Sequence, residues 1–435
     1  MVAPSIRELK TSLEGLTGPA PSFFHESSRL RYKTISFSNK ANKIEETSTR
    51  IKSLLILSLA VATLIKLYLA LTTFGSPDVL GYQDYLTKIR SIGGIGAYYA
   101  GGAYDNPFNV PPLNIPVIRV MGWFADLTGL PFRFWLRLPC VLADIGSFFV
   151  VWALVKKQTG KAQWSALFLL ALCPTSIMIS GFHGNSDPVM IFFVSFSIYL
   201  LEKRKSTWLS AIAFGLALSV KVVPLIFIPA FLFYLPTIRS RSIFLLTAAG
   251  VFVIGGMPYL LLDPRIIAVR VFGYSSYYGV WGWTRLLSAA LGQASSSHPS
   301  GVHAAINIGG KVLLLISICA LSFWMNNKKE KPPLFIQCGV VTFLFMALTP
   351  GFGIQYLSWC IPFVVAIGLT PTIIYYFASS LYLFIDYHCW AWWPNQPTYC
   401  SAKIPTQASF LCWLSVIVVL MIYRRLLAKK DAIGS

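Results

Sequence analysis

Long apolar runs alternate along this chain with short basic or polar stretches. The first clear run covers residues 52–74. Others fall at 134–155, 162–181, 188–202, 206–220, 222–236, 242–262, 305–325, 333–349, 354–369, 371–387 and 407–424. About 20 mostly apolar residues cross a hydrocarbon core. Inside lipid the backbone must satisfy its own hydrogen bonds, so runs of this kind predict helices. The pattern predicts an all-α polytopic membrane protein with about twelve transmembrane helices. Residues 1–50 are basic, rich in Ser and Thr and without an apolar core, which predicts a flexible cytosolic tail and no cleaved signal. A short helix is expected near 6–16. The membrane domain spans 51–425 and a C-terminal cytosolic tail follows at 426–435. Two large polar segments, 75–132 and 263–304, read as outer loops carrying interfacial helices. In the first, the stretch 113–130 includes Arg119 and Asp126, so it is expected along the interface and not across it.

Composition agrees: 55% of the residues are hydrophobic and only 12% are charged, against roughly a quarter charged in soluble domains. The formal charge of +20 raises nucleic-acid binding, but its distribution argues against that. About two thirds of the Lys and Arg lie in the N-terminal tail and in 156–161, 203–205, 239–241, 328–331 and 424–430. These segments alternate with loops poor in Lys and Arg, which is the positive-inside pattern and places both termini in the cytosol. Counting 113–130 as a span would put the basic segments 156–157 and 203–204 outside. Most of the eight cysteines sit in apolar runs, where Cys acts as a small hydrophobe. Cys389 and Cys400 fall instead in an outer loop, where a disulfide is plausible if that face is oxidising.

Few residues in this apolar background carry chemistry. Asp78 follows the first span, in an outer loop, and is either a general base for an acceptor hydroxyl or a solvated or helix-capping Asp. Asp84, six residues on, does not share its helix face, so the two do not form a metal pair. The compact loop 183–187 offers His183, Asn185 and Asp187. It reads equally as a polar site or as a turn capped by Asp187 ahead of Pro188. Lys221 interrupts an apolar stretch too long for one span. A buried ammonium needs a partner such as a lipid phosphate, unless it snorkels to the headgroups. Asp144, inside a span, reads as a packing group held by a salt bridge or hydrogen bond. The second outer loop brings Arg265, Arg270, Tyr277 and Trp281, suited to stacking sugars and holding phosphate or to an aromatic belt. No Walker A motif and no zinc-spaced Cys/His cluster is present, so neither a cofactor nor a metal is expected.

Taken in order, these features resemble the GT-C superfamily of polytopic glycosyltransferases that use polyprenyl- or dolichyl-phosphate sugars. The nearest likeness is to bacterial mannosyltransferases of that type and to the endoplasmic-reticulum glucosyltransferases that extend dolichol-linked oligosaccharide. The resemblance runs through Pro77-Asp78-Val79, Gly96-Ala97-Tyr98-Tyr99, Pro111-Pro112-Leu113, and Arg137-Leu138-Pro139 with Ala143-Asp144. It continues in Gly184-Asn185-Ser186-Asp187, in 215–221 with Pro224 and Pro229, in 277–282 and in 350–356, covering about residues 52–425. Relatives often carry Gly-Gln-x-Asp-Ser where this chain has His183-Gly184-Asn185-Ser186-Asp187, and Tyr where Val110 precedes the two prolines. The resemblance implies that Asp78 is the catalytic base and that Lys221 faces the lipid phosphate.

The resulting expectation is inverting transfer of one hexose, of mannose or glucose type. The donor is a polyprenyl-phosphate sugar, and the acceptor is a glycan or lipid hydroxyl on the non-cytosolic face. Lys221, Arg265, Arg270 and His183 would address the donor phosphate. Asp84, Asn185, Asp187, Tyr277, Trp281 and Gln355 would line the substrate site. The chain is expected to act as a monomer in a bacterial inner membrane or, alternatively, in the endoplasmic reticulum. A secondary transporter or lipid-linked-sugar flippase fits twelve spans as well, but no internally related halves are evident.

Overall fold

The computed structural model describes residues 26–100, 108–155, 161–273, 276–292, 301–390 and 403–433. The first helix, α1 (Glu26–Thr72), starts well before the first apolar run. No Gly or Pro occurs between 26 and 72, so nothing in that stretch breaks a helix. Residues 26–50 of the expected flexible tail are therefore helical. The short helix expected near 6–16 lies outside the described residues.

The first outer segment folds into α2 (Pro77–Ser91), α3 (Gly93–Tyr99) and α4 (Asn114–Thr128). Then follow α5 (Phe132–Val155), α6 (Lys161–Ala171), the single turn α7 (Pro174–Ser176) and a π-helix, Ile177–His183. The chain returns in α8 (Asp187–Glu202) and rises in α9 (Thr207–Val220). A 3-10 turn, Val223–Phe227, leads into α10 (Ile228–Tyr234) and α11 (Ile238–Leu260). The second outer segment holds α12 (Pro264–Phe272), β1 (Tyr277–Tyr278) and α13 (Gly282–Ala290). The remainder is α14 (Gly301–Asn326), α15 (Leu334–Leu348), β2 (Gly351–Phe352), α16 (Leu357–Val364), α17 (Leu369–Trp390) and α18 (Lys403–Ile433). Thus α18 carries most of the expected C-terminal tail as helix.

Each of the twelve predicted spans has a helical counterpart, but not all are long enough to cross alone. Six helices among the described residues are long and apolar enough to span a bilayer. By contrast α9 has 14 residues and α8 has 16, or roughly 21–24 Å at 1.5 Å per residue against a core of about 30 Å. Shortness here follows from polar breaks at both ends. Helix α17 has the length, but it spends its polarity inside the bundle: Tyr375 and Tyr376 donate to the carbonyls of Leu357 (2.6 Å) and Ile361 (3.0 Å) in α16.

The bundle core is built by α8 on α5, α9 on α8, α11 on α9 and α17 on α18. Its two ends differ. At one, Glu202 accepts from the Phe335 amide (2.9 Å), Lys331 donates to the Tyr234 carbonyl (3.1 Å) and Lys328 to the Leu427 carbonyl (3.2 Å). The basic segments 203–205, 328–331 and 424–430 therefore converge there, with 239–241 tied in by Arg241 to the Leu235 carbonyl. At the other end lie the start of α2, the end of the π-helix and the start of α8, the length of α8 away.

Candidate functional site

The turn from α1 into α2 is fixed by residue types that permit little else. Gly75 has φ +106°, and a Cβ there would fall 1.8 Å from Nη2 of Arg137. Arg137 is fully buried and donates from Nη1 to the Ala70 (3.3 Å) and Thr73 (3.0 Å) carbonyls, and from Nη2 to that of Phe74. It thus caps the otherwise unpaired carbonyls at the end of α1. Ser76 then serves as N-cap, its hydroxyl accepting from the Asp78 amide at 3.3 Å, and Pro77 starts the helix. Asp78 is left in the first turn of α2, where the helix dipole favours a carboxylate.

From the other side comes the loop 183–187. The π-helix ends in Gly184, whose φ of +85° and 2.6 Å approach to Cγ2 of Val79 exclude a side chain. The Ser76 hydroxyl donates to the His183 carbonyl at 2.7 Å, joining this loop to the α2 cap. His183 Nε2 lies 3.1 Å from Oδ2 of Asp78, and Asn185 Nδ2 donates to the same oxygen. One carboxylate oxygen is thereby held by two donors. His183 and Asn185 are buried, whereas the Asp78 side chain keeps 35% of its surface exposed. The structure thus presents a carboxylate fixed at one oxygen and accessible from outside.

Burial pulls the Asp78 carboxyl upward. The charge and hydrogen bond of His183, the hydrogen bond of Asn185 and the more distant Lys221 ammonium outweigh it and hold the pKa at about 2. A depressed carboxylate contributes stability above its ordinary value of 3.8 and loses it as the pH falls toward about 2. The Asp78 carboxyl is accordingly ionised at neutral pH. Replacing His183 by Ala leaves burial opposed by fewer groups. The acid limb of the pH–rate profile is then expected to move upward relative to wild type, and an unmoved limb would show that His183 does not set this carboxylate.

Asp187 does not cap α8, although its position ahead of Pro188 allowed that reading. It is fully buried, and its carboxylate accepts from Lys221 Nζ at 2.5 Å and from Trp359 Nε1 at 2.6 Å. Lys221 is the extended residue that closes α9, so the break in the apolar stretch points its ammonium at Asp187. An ammonium has three donors; this pair uses one. Among the described residues no group of three His, Cys, Asp or Glu side chains is placed to hold a metal.

The structure brings Asp78, His183, Asn185, Asp187 and Lys221 together. The other expected residues have partners of their own. Asp84 pairs with Lys88 on the same helix at 2.6 Å. Arg270 donates to the Tyr98 carbonyl at 3.1 Å, while Arg265 is exposed. Tyr277 is exposed in β1, opposite Phe352. Trp281 is buried, stacked at 4.1 Å on Phe352, with its indole N–H given to the Met346 carbonyl at 2.7 Å. Gln355 lies in the turn that leads to Tyr356, which stacks on Trp359 at 4.1 Å. Through Trp359 this turn reaches Asp187.

Sequence reasoning missed Trp359, Tyr387 and Asp386. Trp359 sits in an uninterrupted apolar run. Tyr387 stacks on His183 at 5.5 Å between ring centroids, and Asp386 beside it interacts electrostatically with His183; both belong to an aromatic-rich stretch that resembles an interfacial belt. Two residues further on, Cys389 is disulfide-bonded, and its expected partner Cys400 lies outside the described residues. A cleft of about 220 Å³ adjoins the site. Tyr82 and Ser186 form its polar edge, their hydroxyls 3.5 Å apart, and Leu136, Cys140, Val189 and Phe193 are among the residues lining the rest.

The model of glycosyltransferase family 87 matches residues 111–350, more than half of the 435-residue chain. This chain belongs to glycosyltransferase family 87. The expected resemblance to polytopic GT-C transferases is borne out by that membership. Over 138 residues the chain is 25% identical to GPI mannosyltransferase 1 of Candida albicans, covering 31% of this chain and 34% of that one. Over 146 residues it is 31% identical to YkcB of Bacillus subtilis, a mannosyltransferase by name, covering 31% of this chain and 20% of that one. The chain thus matches about a third and a fifth of those relatives' lengths. The crystal structure of ArnT from Cupriavidus metallidurans bound to undecaprenyl phosphate is similar at a TM-score of 0.47 and 12% identity, over 87% of this chain and 78% of that one.

Proposed function

We propose that this family 87 glycosyltransferase moves one hexose, of mannose or glucose type, from a polyprenyl-phosphate sugar to a hydroxyl acceptor on the non-cytosolic face, with inversion. The observation that carries this reading is the Asp78 carboxylate, fixed through one oxygen and exposed beside a buried Lys–Asp pair. The acceptor oxygen attacks the anomeric carbon as the bond from that carbon to the phosphate oxygen breaks. Asp78 takes the hydroxyl proton. The lipid phosphate departs as an anion and needs no acid; Lys221, with two donors left, stabilises its charge. His183 and Asn185 hold Asp78 in place. The apolar cleft beyond Tyr82 and Ser186 suits the first isoprene units of the donor.

Two observations support the non-cytosolic face. The basic segments gather at the end away from Asp78, which orients that end toward the cytosol. Cys389, in a disulfide two residues from the Tyr387 that stacks on His183, fits an oxidising face at the Asp78 end. Transfer from a panel of radiolabelled polyprenyl-phosphate mannose and glucose donors in reconstituted vesicles tests the reading. Product from one of them, dependent on Asp78, is the expected result. Turnover only with nucleotide sugars would overturn the donor assignment.

A further inference from the structure

A second cluster of charged groups lies deeper in the bundle and takes no part in the chemistry above. Lys66 of α1 is 4% exposed. Its ammonium donates to Asp144 of α5 at 2.7 Å and to the Ser176 hydroxyl at 2.8 Å. Ser176 in turn donates to the same Asp144 oxygen at 2.6 Å. Three elements are pinned at one point, each polar atom partnered by the other two. Charges at such depth are costly and are retained where they do something.

Their place in the chain suggests what. Ser176 is the residue immediately before the π-helix Ile177–His183, and His183 is its last residue. Bonds from i to i+5 turn each residue through a smaller angle than the α-helical 3.6 per turn. Whether these seven residues wind as π or as α therefore decides the direction in which His183 points. Lys66 touches this segment twice: its side chain holds Ser176, and its backbone abuts Gly181, where a Cβ would come within 2.9 Å of the Lys66 Cα.

We propose that Lys66, Asp144 and Ser176 are positioning residues that lock the π register and so aim His183 at Asp78. They act through His183 and touch no substrate. The proposal rests on the reading of Asp78 as base only for its catalytic consequence; the register itself is separable. His183 faces Asp78 from α2, Asp386 and Tyr387 from α17 and Asn185 from its own loop, so a change of register alters all these contacts at once.

The test uses the full-length protein in detergent or nanodiscs. Lys66→Met alone strands a buried carboxylate, so the main variant is Lys66→Met with Asp144→Asn, and Ser176→Ala is the milder companion. Labelling of His183 by diethyl pyrocarbonate, read by peptide mass spectrometry, reports its environment without reference to transfer. The exposed His388 on α17 is the internal reference. In wild type His183, buried against Tyr387, labels slowly relative to His388. In folded double variant the ratio is expected to rise severalfold. kcat should fall by about 10²-fold, as small misplacements of catalytic groups do, with donor KM unchanged and the acid limb raised. Ser176→Ala should move the same readouts less. Folded variants whose labelling ratio and pH profile match wild type would overturn the proposal, whatever their loss of thermal stability. A raised labelling ratio without a change in the profile would leave the register intact as a conclusion and refute the base assignment of Asp78.

Discussion

Asp78→Asn is expected to lower transfer by about 10²–10⁴-fold, the usual contribution of a general base. Expression, thermal stability and donor affinity should stay close to wild type. Asn keeps an acceptor oxygen where His183 Nε2 and Asn185 Nδ2 now meet Asp78. The Ser76 cap uses the backbone N–H of residue 78 and is indifferent to the side chain. What the substitution removes is the ability to take a proton. Steady-state transfer with a lipid-linked donor, alongside a donor-binding measurement, checks this. Near-normal turnover would transfer the role of base elsewhere.

The second large effect concerns Lys221 and Asp187, and here the single variants mislead. Asp187 is fully buried and the Lys221 side chain is 15% exposed. Removing one member of a buried ion pair strands the other and costs about 3–5 kcal/mol, whereas removing both is far milder. Lys221→Ala is therefore expected to destabilise the fold as well as weaken the donor complex. The pair Lys221→Met with Asp187→Asn separates the two effects. Asn retains an acceptor for the Trp359 indole, so stability should largely return. Donor affinity should not, because the ammonium proposed to address the phosphate is gone. Thermal unfolding and equilibrium binding of a polyprenyl phosphate, measured on both variants, decide the matter. Recovery of donor binding together with stability would show that Lys221 serves packing alone.

Much of the fold was legible because its physics is local. Apolar runs long enough for a bilayer, cut by Lys and Arg, specify helices and their alternation without any knowledge of partners. The break at Lys221 and the Gly and Pro of the outer loops marked real helix ends. Length was less legible: α8 and α9 are short because their ends are polar, and only their neighbours make them adequate as bundle elements. Helix α1 began earlier than expected because hydropathy marks only the part of a helix that faces lipid, and no Gly or Pro in 26–50 interrupts the continuation.

The sequence by itself determined that the protein is a helical membrane protein with basic and polar ends segregated. It also singled out the few ionisable residues worth attention, Asp78, His183, Asp187 and Lys221 among them. Only the tertiary structure decided their pairing. Asp78 and His183 are 105 residues apart, Lys221 and Asp187 are 34, and Asp187 and Trp359 are 172. Composition and period describe each segment against its solvent, so they carry no information about which segments meet. The fixed oxygen of Asp78, the partner of Asp144 and the contacts that bury Trp281 are properties of packing, and packing exists only once the helices have been brought together.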